Sequence, residues 1–452
     1  MRVRAPALEE AYWAPEETMP PAERERVILR LLRGQLAYAW ERSPFYRRLW
    51  HEAGVTPDAL ETLADLARFP LVRKDDVRAD QEAAPPFGSN LCCSRSDVAQ
   101  VNGTSGTTGR STLFAISNDD WERIGAAHAR IMWSFGVRPS DTVFVASFFS
   151  LYLGSWGALA GARALGATAF PFGAGVQGQT ERALQYVELI RPTVFYGTPS
   201  YALHLARVAR EHGIDPAGLG FRVMFFSGEP GAGIPATKRR IEETYGTSAI
   251  DTGSMAEMTP WMTNAECSER AGMHLWDDIV YTELVDPDTL EPIEGDGEGV
   301  PVYTHLDRTS QPMIRFFSGD LARVTADPCP CGRTYRRLPD GIYGRVDDML
   351  LVRGANVYPR AIENAIRAVP GLGDEYRIVV ERPRELDVLT IEIEAEDSAL
   401  AEVVRERVRV AIGLAPRVGV HPPGTLPTTE FKARRVVDRR TQPSQATTRR
   451  HA

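Results

Sequence analysis

Cysteine is scarce in this 452-residue chain, five in all, so a disulfide framework is excluded as a source of stability and a reducing, cytoplasmic setting is expected. Long apolar runs are missing too. No stretch approaches the roughly twenty apolar residues that a membrane-spanning helix needs, and the opening MRVRAPALEEAYWAPEE lacks the apolar centre of a signal peptide. Nor is there an excess of basic residues: the formal charge is −8, which argues against a nucleic-acid partner. No internal repeat is evident. What remains, 43% hydrophobic and 25% charged residues, is the composition of a soluble globular protein with material for two or three domains.

Apolar residues at helical spacing, with arginines between them, predict a surface-packed helix over residues 21–50. From about 100 to 325 the pattern changes. Strand candidates TVFVAS (142–147), ATAFPF (167–172), PTVFYG (192–197) and FRVMFFSG (221–228) alternate with helical stretches at 180–190 and 199–212. This alternation predicts a layered α/β domain with a largely parallel sheet. Residues 276–324 turn strand-rich and hairpin-like. A boundary is expected near 343–349, followed by helix 359–369, strands 376–381 and 387–395, helix 398–413 and a last basic strand, a small α+β unit. The expected division is therefore 1–343, 344–438 and a tail, 439–452, with almost nothing to bury.

Residues 103–110, GTSGTTGR, contain no apolar side chain. Glycines let a backbone approach an anion and turn its N–H groups toward it, and serine and threonine hydroxyls add donors, so the stretch reads as a phosphate cradle or as a hydroxyl-rich surface loop. The G-x-x-x-x-G-K-[ST] template fails, because the only basic residue, Arg110, directly follows the last glycine.

Six segments in order resemble the adenylate-forming enzymes, and within them the phenylacetate–CoA ligase group, over nearly the whole chain. They are SPFYRRL…FPLVRKDDVR (43–78), VNGTSGTTGRST (101–112), FFSGEP (225–230), SGDLARV (318–324), YGRVDDMLLVRGANVYPRAIE (343–363) and LPTTEFKARRVVD (426–438). The resemblance implies a large N-terminal domain binding ATP and an acid, a small mobile C-terminal lid, ATP and Mg²⁺, an acyl-adenylate and a thioester made with coenzyme A.

It also implies roles. Thr104, Ser105, Thr107 and Thr108 would grip the β- and γ-phosphates, and Gly228, Glu229 and Pro230 would line the adenine side. Asp320 would accept both ribose hydroxyls, with Arg345 near ribose and phosphate. Lys432 would reach from the lid to the α-phosphate and the carboxylate oxygen. Thr108 and Glu257 complete the catalytic set, Glu257 as an oxygen ligand for magnesium. Here the chain departs from the family pattern: in DTGSMAE (251–257), Thr252 stands where a tyrosine would stack on adenine, and Glu257 comes one residue late. Phe149, Tyr152 and Gly253 would line the acid pocket, whose aromatic bulk favours a small, flat aryl acid. Asp347 would be the hinge.

Cys267, His274, Cys329 and Cys331 form a Cys₃His set, one of the structural zinc combinations, although C-x-C is tighter than the usual spacing. Some members of the resembling group carry a metal at matching positions. The alternative is four unconnected residues in a reduced protein. Cys92 and Cys93, being adjacent, read as inert packing residues.

The expected partners are a small carboxylic acid, ATP and coenzyme A, with no nucleic acid and no membrane; a homodimer is an admissible assembly. Two other readings stand beside the ligase. The adenylate could pass to a carrier-protein thiol or an amine, or the chain could be a nucleotide-binding module without catalysis.

Overall fold

The computed structural model describes residues 10–104, 111–174, 178–253, 255–346, 348–353, 355–383, 386–427 and 435–440. The chain divides into two compact units, residues 1–343 and 344–452.

The first unit is built on an eight-stranded sheet. Five strands run parallel in the spatial order Thr168–Phe170, Thr142–Ala146, Val194–Gly197, Val223–Phe226, Ser248–Gly253; Asn264–Glu266, Met273–Leu275 and Arg337–Leu338 continue it antiparallel. Successive residues of the central strands serve two cores. Val143, Val145, Tyr196 and Phe225 join Ile124, Ile131, Ala158 and Leu165 on one face. Phe144, Ala146, Phe195 and Phe226 join Leu184, Leu205 and Ile241 on the other. A sheet buried on both faces needs continuous rather than alternating apolar residues, which is why TVFVA and VMFF read as unbroken runs.

The helices that cover it start where side chains can bond free backbone N–H groups. Ser117 accepts from Asp120 N ahead of helix Asn118–Ser134. Thr198 accepts from Tyr201 N, with Pro199 in the first turn of helix Pro199–Glu211.

The helix predicted over 21–50 is two helices, Pro21–Arg42 and Pro44–Glu52. Ser43 accepts from Tyr46 N, and Pro44 has no N–H to continue the first helix, so a new one begins. The strand-rich stretch is an antiparallel set including Val280–Val285, Gly297–His305 and Asp320–Val324.

The second unit has a four-stranded sheet in the order Arg417–His421, Val388–Ala395, Leu372–Glu381, Val436–Asp438. Its core joins Ile362 and Ile366 of helix Pro359–Arg367 and Val404 and Val408 of helix Leu400–Ile412 to Ile378, Val380 and Ile391.

Candidate active site and metal centre

In open α/β sheets, ligands bind beyond the carboxyl ends of parallel strands. The first unit gathers chemistry at that edge. Strand Val194–Gly197 carries Tyr196 there, strand Val223–Phe226 runs into Ser227 and Gly228, and strand Ser248–Gly253 ends in Thr252 and Gly253. Gly228 sits at φ 89°, and a Cβ on it would come 3.1 Å from the Tyr152 hydroxyl. A Cβ on Gly253 would lie 2.8 Å from Asn264 Cβ. Both positions need glycine.

Tyr152 reaches this edge from the start of helix Leu153–Leu165. Its hydroxyl lies 3.1 Å from Ser227 Oγ and 3.4 Å from the Tyr196 hydroxyl, which is itself 2.7 Å from Ser227 Oγ. Burial pushes both phenols up, so they stay neutral donors. Tyr152 stacks on Phe148 at 5.4 Å, and Phe149 meets Trp156 edge-on at 5.0 Å. Ser227 and Tyr196 were missed as site residues. The signal was available: both stand at strand carboxyl ends, Tyr196 in a segment read only as a strand and Ser227 within FFSGEP, where it was given no role.

Asn102 and Gly103 are tied to the same corner. Gly103 N donates to Leu151 O at 2.9 Å, and Asn102 Nδ2 donates to the same oxygen at 3.2 Å. Thr104 is buried; its N–H donates to Thr112 O at 3.0 Å and its hydroxyl accepts from Thr112 N at 3.2 Å. Ser105, Thr107, Thr108, Asp347 and Lys432 lie outside the described residues.

Asp320, Gly253, Asn264, Tyr303 and Ile342 line one narrow cleft. Asp320 begins strand Asp320–Val324 directly after Gly319, at φ 73°, and its N–H donates to Ser318 Oγ at 3.0 Å. Asn264 Nδ2 donates to the Tyr303 hydroxyl at 2.6 Å, while Asn264 Oδ1 is buried with no hydrogen-bond partner among the described residues. Thr252 donates to Phe226 O at 2.5 Å, so its hydroxyl fastens two strands. Glu229 Oε1 accepts from Ser200 N at 2.6 Å at the start of helix Pro199–Glu211, a carboxylate at a helix N-terminus. Pro230 opens the short turn Pro230–Gly233. Glu257 is buried, with Lys74 Nζ 3.3 Å from Oε1. Arg345 belongs to the second unit, where its Nε is 3.9 Å from Asp348 Oδ2.

The four cysteine and histidine positions converge. Cys267, His274 and Cys329 are buried, and the ligand atoms of the set all lie within 4.8 Å of one another. Cys267 and Cys329 sulfurs are 3.8 Å apart, and Cys331 Sγ is 3.4 Å from His274 Nε2. A disulfide needs about 2.05 Å. Tetrahedral geometry with Zn–S near 2.3 Å and Zn–N near 2.0–2.1 Å places sulfurs about 3.8 Å apart and sulfur about 3.5 Å from nitrogen. The fit is to a metal, not a cross-link. A hydrogen bond from Cys267 and the nearby His274 ring pull the Cys331 thiol down, while the bond to Cys331 and burial push Cys267 up. Thiolates this close repel one another, and a bound cation would relieve that repulsion.

The N-terminal segment is fastened over this cluster. The Tyr12 hydroxyl donates to Cys331 O at 3.0 Å, and Arg333 Nε donates at 2.7 Å to the fully buried Glu17. Glu17 also accepts from Trp13 N at 2.8 Å.

A layered α/β unit with hydroxyls, glycines and an aspartate at its carboxyl edge, followed by a small α+β unit, is the architecture of adenylate-forming enzymes. The AMP-binding enzyme family matches residues 51–301, and the AMP-binding enzyme C-terminal domain matches residues 354–440. This chain belongs to that family. It is 34% identical over 448 residues to the phenylacetate–coenzyme A ligase of Thermus thermophilus, covering 94% of this chain and 98% of that protein. The crystal structure of 2-hydroxyisobutyryl-CoA ligase in the postadenylation state with 2-HIB-AMP superposes with a TM-score of 0.93 at 48% identity, covering 97% of this chain and 94% of that one. The same ligase with 2-HIB-AMP and CoA, in the thioesterification state, gives 0.77 at 49% identity over 98% and 95%. These homologues are AMP-forming acid–thiol ligases. No helix among the described residues is long and apolar enough to cross a membrane.

Proposed function

We propose that the chain is an ATP-dependent acid–CoA ligase of the cytoplasm: it activates a small carboxylic acid as acyl-AMP, releases pyrophosphate and passes the acyl group to coenzyme A. The observation that carries this reading is kinship to CoA ligases across both units rather than across the nucleotide-binding unit alone. A carboxylate attacking a phosphate meets like charge, so the site must supply donors, cations and orientation rather than a nucleophile.

In this reading Thr104, with Ser105, Thr107 and Thr108, holds the outer phosphates, and Asp320 takes the ribose hydroxyls. Asn264 Oδ1, a buried acceptor, is available to a nucleotide donor. Gly228 and Gly253 keep the strand edge flat enough for the adenylate. Magnesium, when bound, neutralises phosphate charge. Glu257, a single buried carboxylate, suits that ion, which favours few protein oxygens and several from substrate. Lys74 Nζ holds the Glu257 charge otherwise. Lys432, Arg345 and the hinge Asp347 act from residues 344–438, the lid. Cys267, His274, Cys329 and Cys331 hold a structural zinc.

For the acid, the rings of Phe148, Phe149 and Tyr152 support a small aryl acid. The hydroxyl set of Tyr152, Tyr196 and Ser227 supports a second reading, a short hydroxy acid, because such a set would be left underused by a bare ring. Pyrophosphate release measured across an acid panel that includes phenylacetate and 2-hydroxyisobutyrate, with and without coenzyme A, decides. Turnover of one acid with thioester formation is expected. Adenylation without thioester would point to a carrier-protein thiol or an amine acceptor, and no pyrophosphate with any acid would leave a nucleotide-binding module.

A further inference from the structure

Trp261 is only 2% exposed, yet it lines the narrow cleft that holds Asp320 and Gly253. Its indole also packs on the Tyr196 ring, with centroids 5.5 Å apart, where the Tyr196 hydroxyl meets Ser227. One buried side chain thus borders both the cleft and the corner where the hydroxyls of Tyr152, Tyr196 and Ser227 gather. Tryptophan is the bulkiest residue that could stand there.

Two neighbours fix where the indole stands. Gly157 lies inside helix Leu153–Leu165, where alanine would be the better helix former. A Cβ on it would overlap Trp261 Nε1, and would come 2.8 Å from Trp261 Cδ1 and 2.6 Å from His128 Cε1. Glycine is therefore what lets indole and imidazole meet over this helix. His128 is fully buried, with Nδ1 2.9 Å from Gly157 O. Burial pulls its pKa down to about 3, so the ring is neutral. Because a carbonyl only accepts, Nδ1 carries the proton and Nε2 keeps a lone pair. The His128 and Trp261 rings meet edge-on at 5.3 Å. Neither His128 Nε2, an acceptor, nor Trp261 Nε1, a donor, has a hydrogen-bond partner among the described residues. Their complementarity favours keeping the two rings together.

The indole cannot move toward the helix without striking it, and the cleft is the open space it borders. We propose that Trp261 sets the size of the acid: its indole is the wall against which the acyl group ends, and Gly157 fixes where that wall stands. The site then takes a compact acid, aliphatic or aryl, in preference to one whose chain extends further. The inference rests on the ligase reading and deepens it, because it places the acyl group of the adenylate beside Gly253 and Asp320. Nothing in it requires a ligand to enter the packed space behind the indole; removing the indole opens that space to the cleft.

The test measures pyrophosphate release by the full chain with straight-chain acids from acetate to octanoate. In Trp261→Ala, kcat/KM for hexanoate relative to propanoate is expected to rise about ten-fold or more, the order that added methylenes are worth in an apolar pocket. Trp261→Phe should give a smaller rise. Gly157→Ala, which drives the indole off the helix, should lower the ratio. A merely structural role would reduce kcat/KM for all acids alike, so an unchanged ratio in Trp261→Ala overturns the proposal. A ratio that rises in Gly157→Ala overturns it too. If the wild-type chain releases no pyrophosphate with any acid, the ligase reading falls. The affinities of propanoyl- and hexanoyl-sulfamoyl adenosine for wild type and variants then decide the wall alone: the same shift in preference upholds it, and no shift, or no binding, overturns it. Trp261→Phe decides if Trp261→Ala does not fold.

Discussion

Asp120, a buried carboxylate of the first unit, is held by several partners at once, and that has a consequence for acid tolerance. Burial acts to raise its pKa, but the Arg308 guanidinium and the donors of Thr309 and Ser310 outweigh it and hold the carboxyl at about 2. The folded pKa lies below the unfolded value, so the stabilisation is present above about pH 4 and is lost as pH falls toward 2. Its size is roughly 2 kcal/mol. Asp120→Asn is therefore expected to lower unfolding free energy by about that much at pH 6, and the gap to wild type should close below pH 3. Denaturant titrations at both pH values check it; a constant gap would refute it. At the same scale, Lys432→Ala should suppress pyrophosphate exchange by roughly 10²-fold or more while leaving the melting temperature near wild type, since one preorganised cationic donor is worth that much in a charge-stabilising site. Exchange within a few-fold of wild type would remove the lysine from catalysis.

Short elements carry the Cys₃His cluster, and there the sequence was legible in part. The Cys₃His set could be picked out by residue type alone, but strands Asn264–Glu266 and Met273–Leu275, which bring Cys267 and His274 together, are three residues each and leave no periodic signal. The central parallel strands, though only four or five residues each, were readable because burial on both faces demands unbroken apolar runs. The break between Pro21–Arg42 and Pro44–Glu52 was written in Ser43-Pro44, and apolar spacing carried across it hid the break. Thr252 could be seen to replace a tyrosine, yet nothing in the sequence shows that its hydroxyl bonds Phe226 O. Cys329→Ser with Cys331→Ser should strip the metal: elemental analysis of protein purified without chelator is expected to give about one zinc per wild-type chain and almost none in the double variant. The variant should also melt lower, because a structural zinc contributes to folding outright. Unchanged metal content would disprove the ligand set.

For the molecule as a whole, two half-reactions make conflicting demands on one lid. In the proposed reading Lys432 serves adenylation, and the incoming thiol must then attack the same carbonyl carbon, so residues 344–438 would have to serve two steps with different needs. Asp347, just past the division between the two units, is the proposed pivot. Proline there fixes φ near −65°, so Asp347→Pro should impair thioester formation far more than adenylation. Single-turnover measurements of each step test this; equal loss in both, or loss in neither, would remove the pivot from Asp347.

The fastening of the N-terminal segment has a consequence during synthesis. Glu17 waits for Arg333, 316 residues later; Tyr12 waits for Cys331, 319 residues later; and Arg24 waits for Thr334, 310 residues later. At about 5–20 residues per second, a ribosome takes roughly 15–60 s to supply those partners. The parallel strands can pair long before. Residues 12–24 are thus among the last of their unit to settle, and while the chain is growing they lie open to a chaperone or a protease.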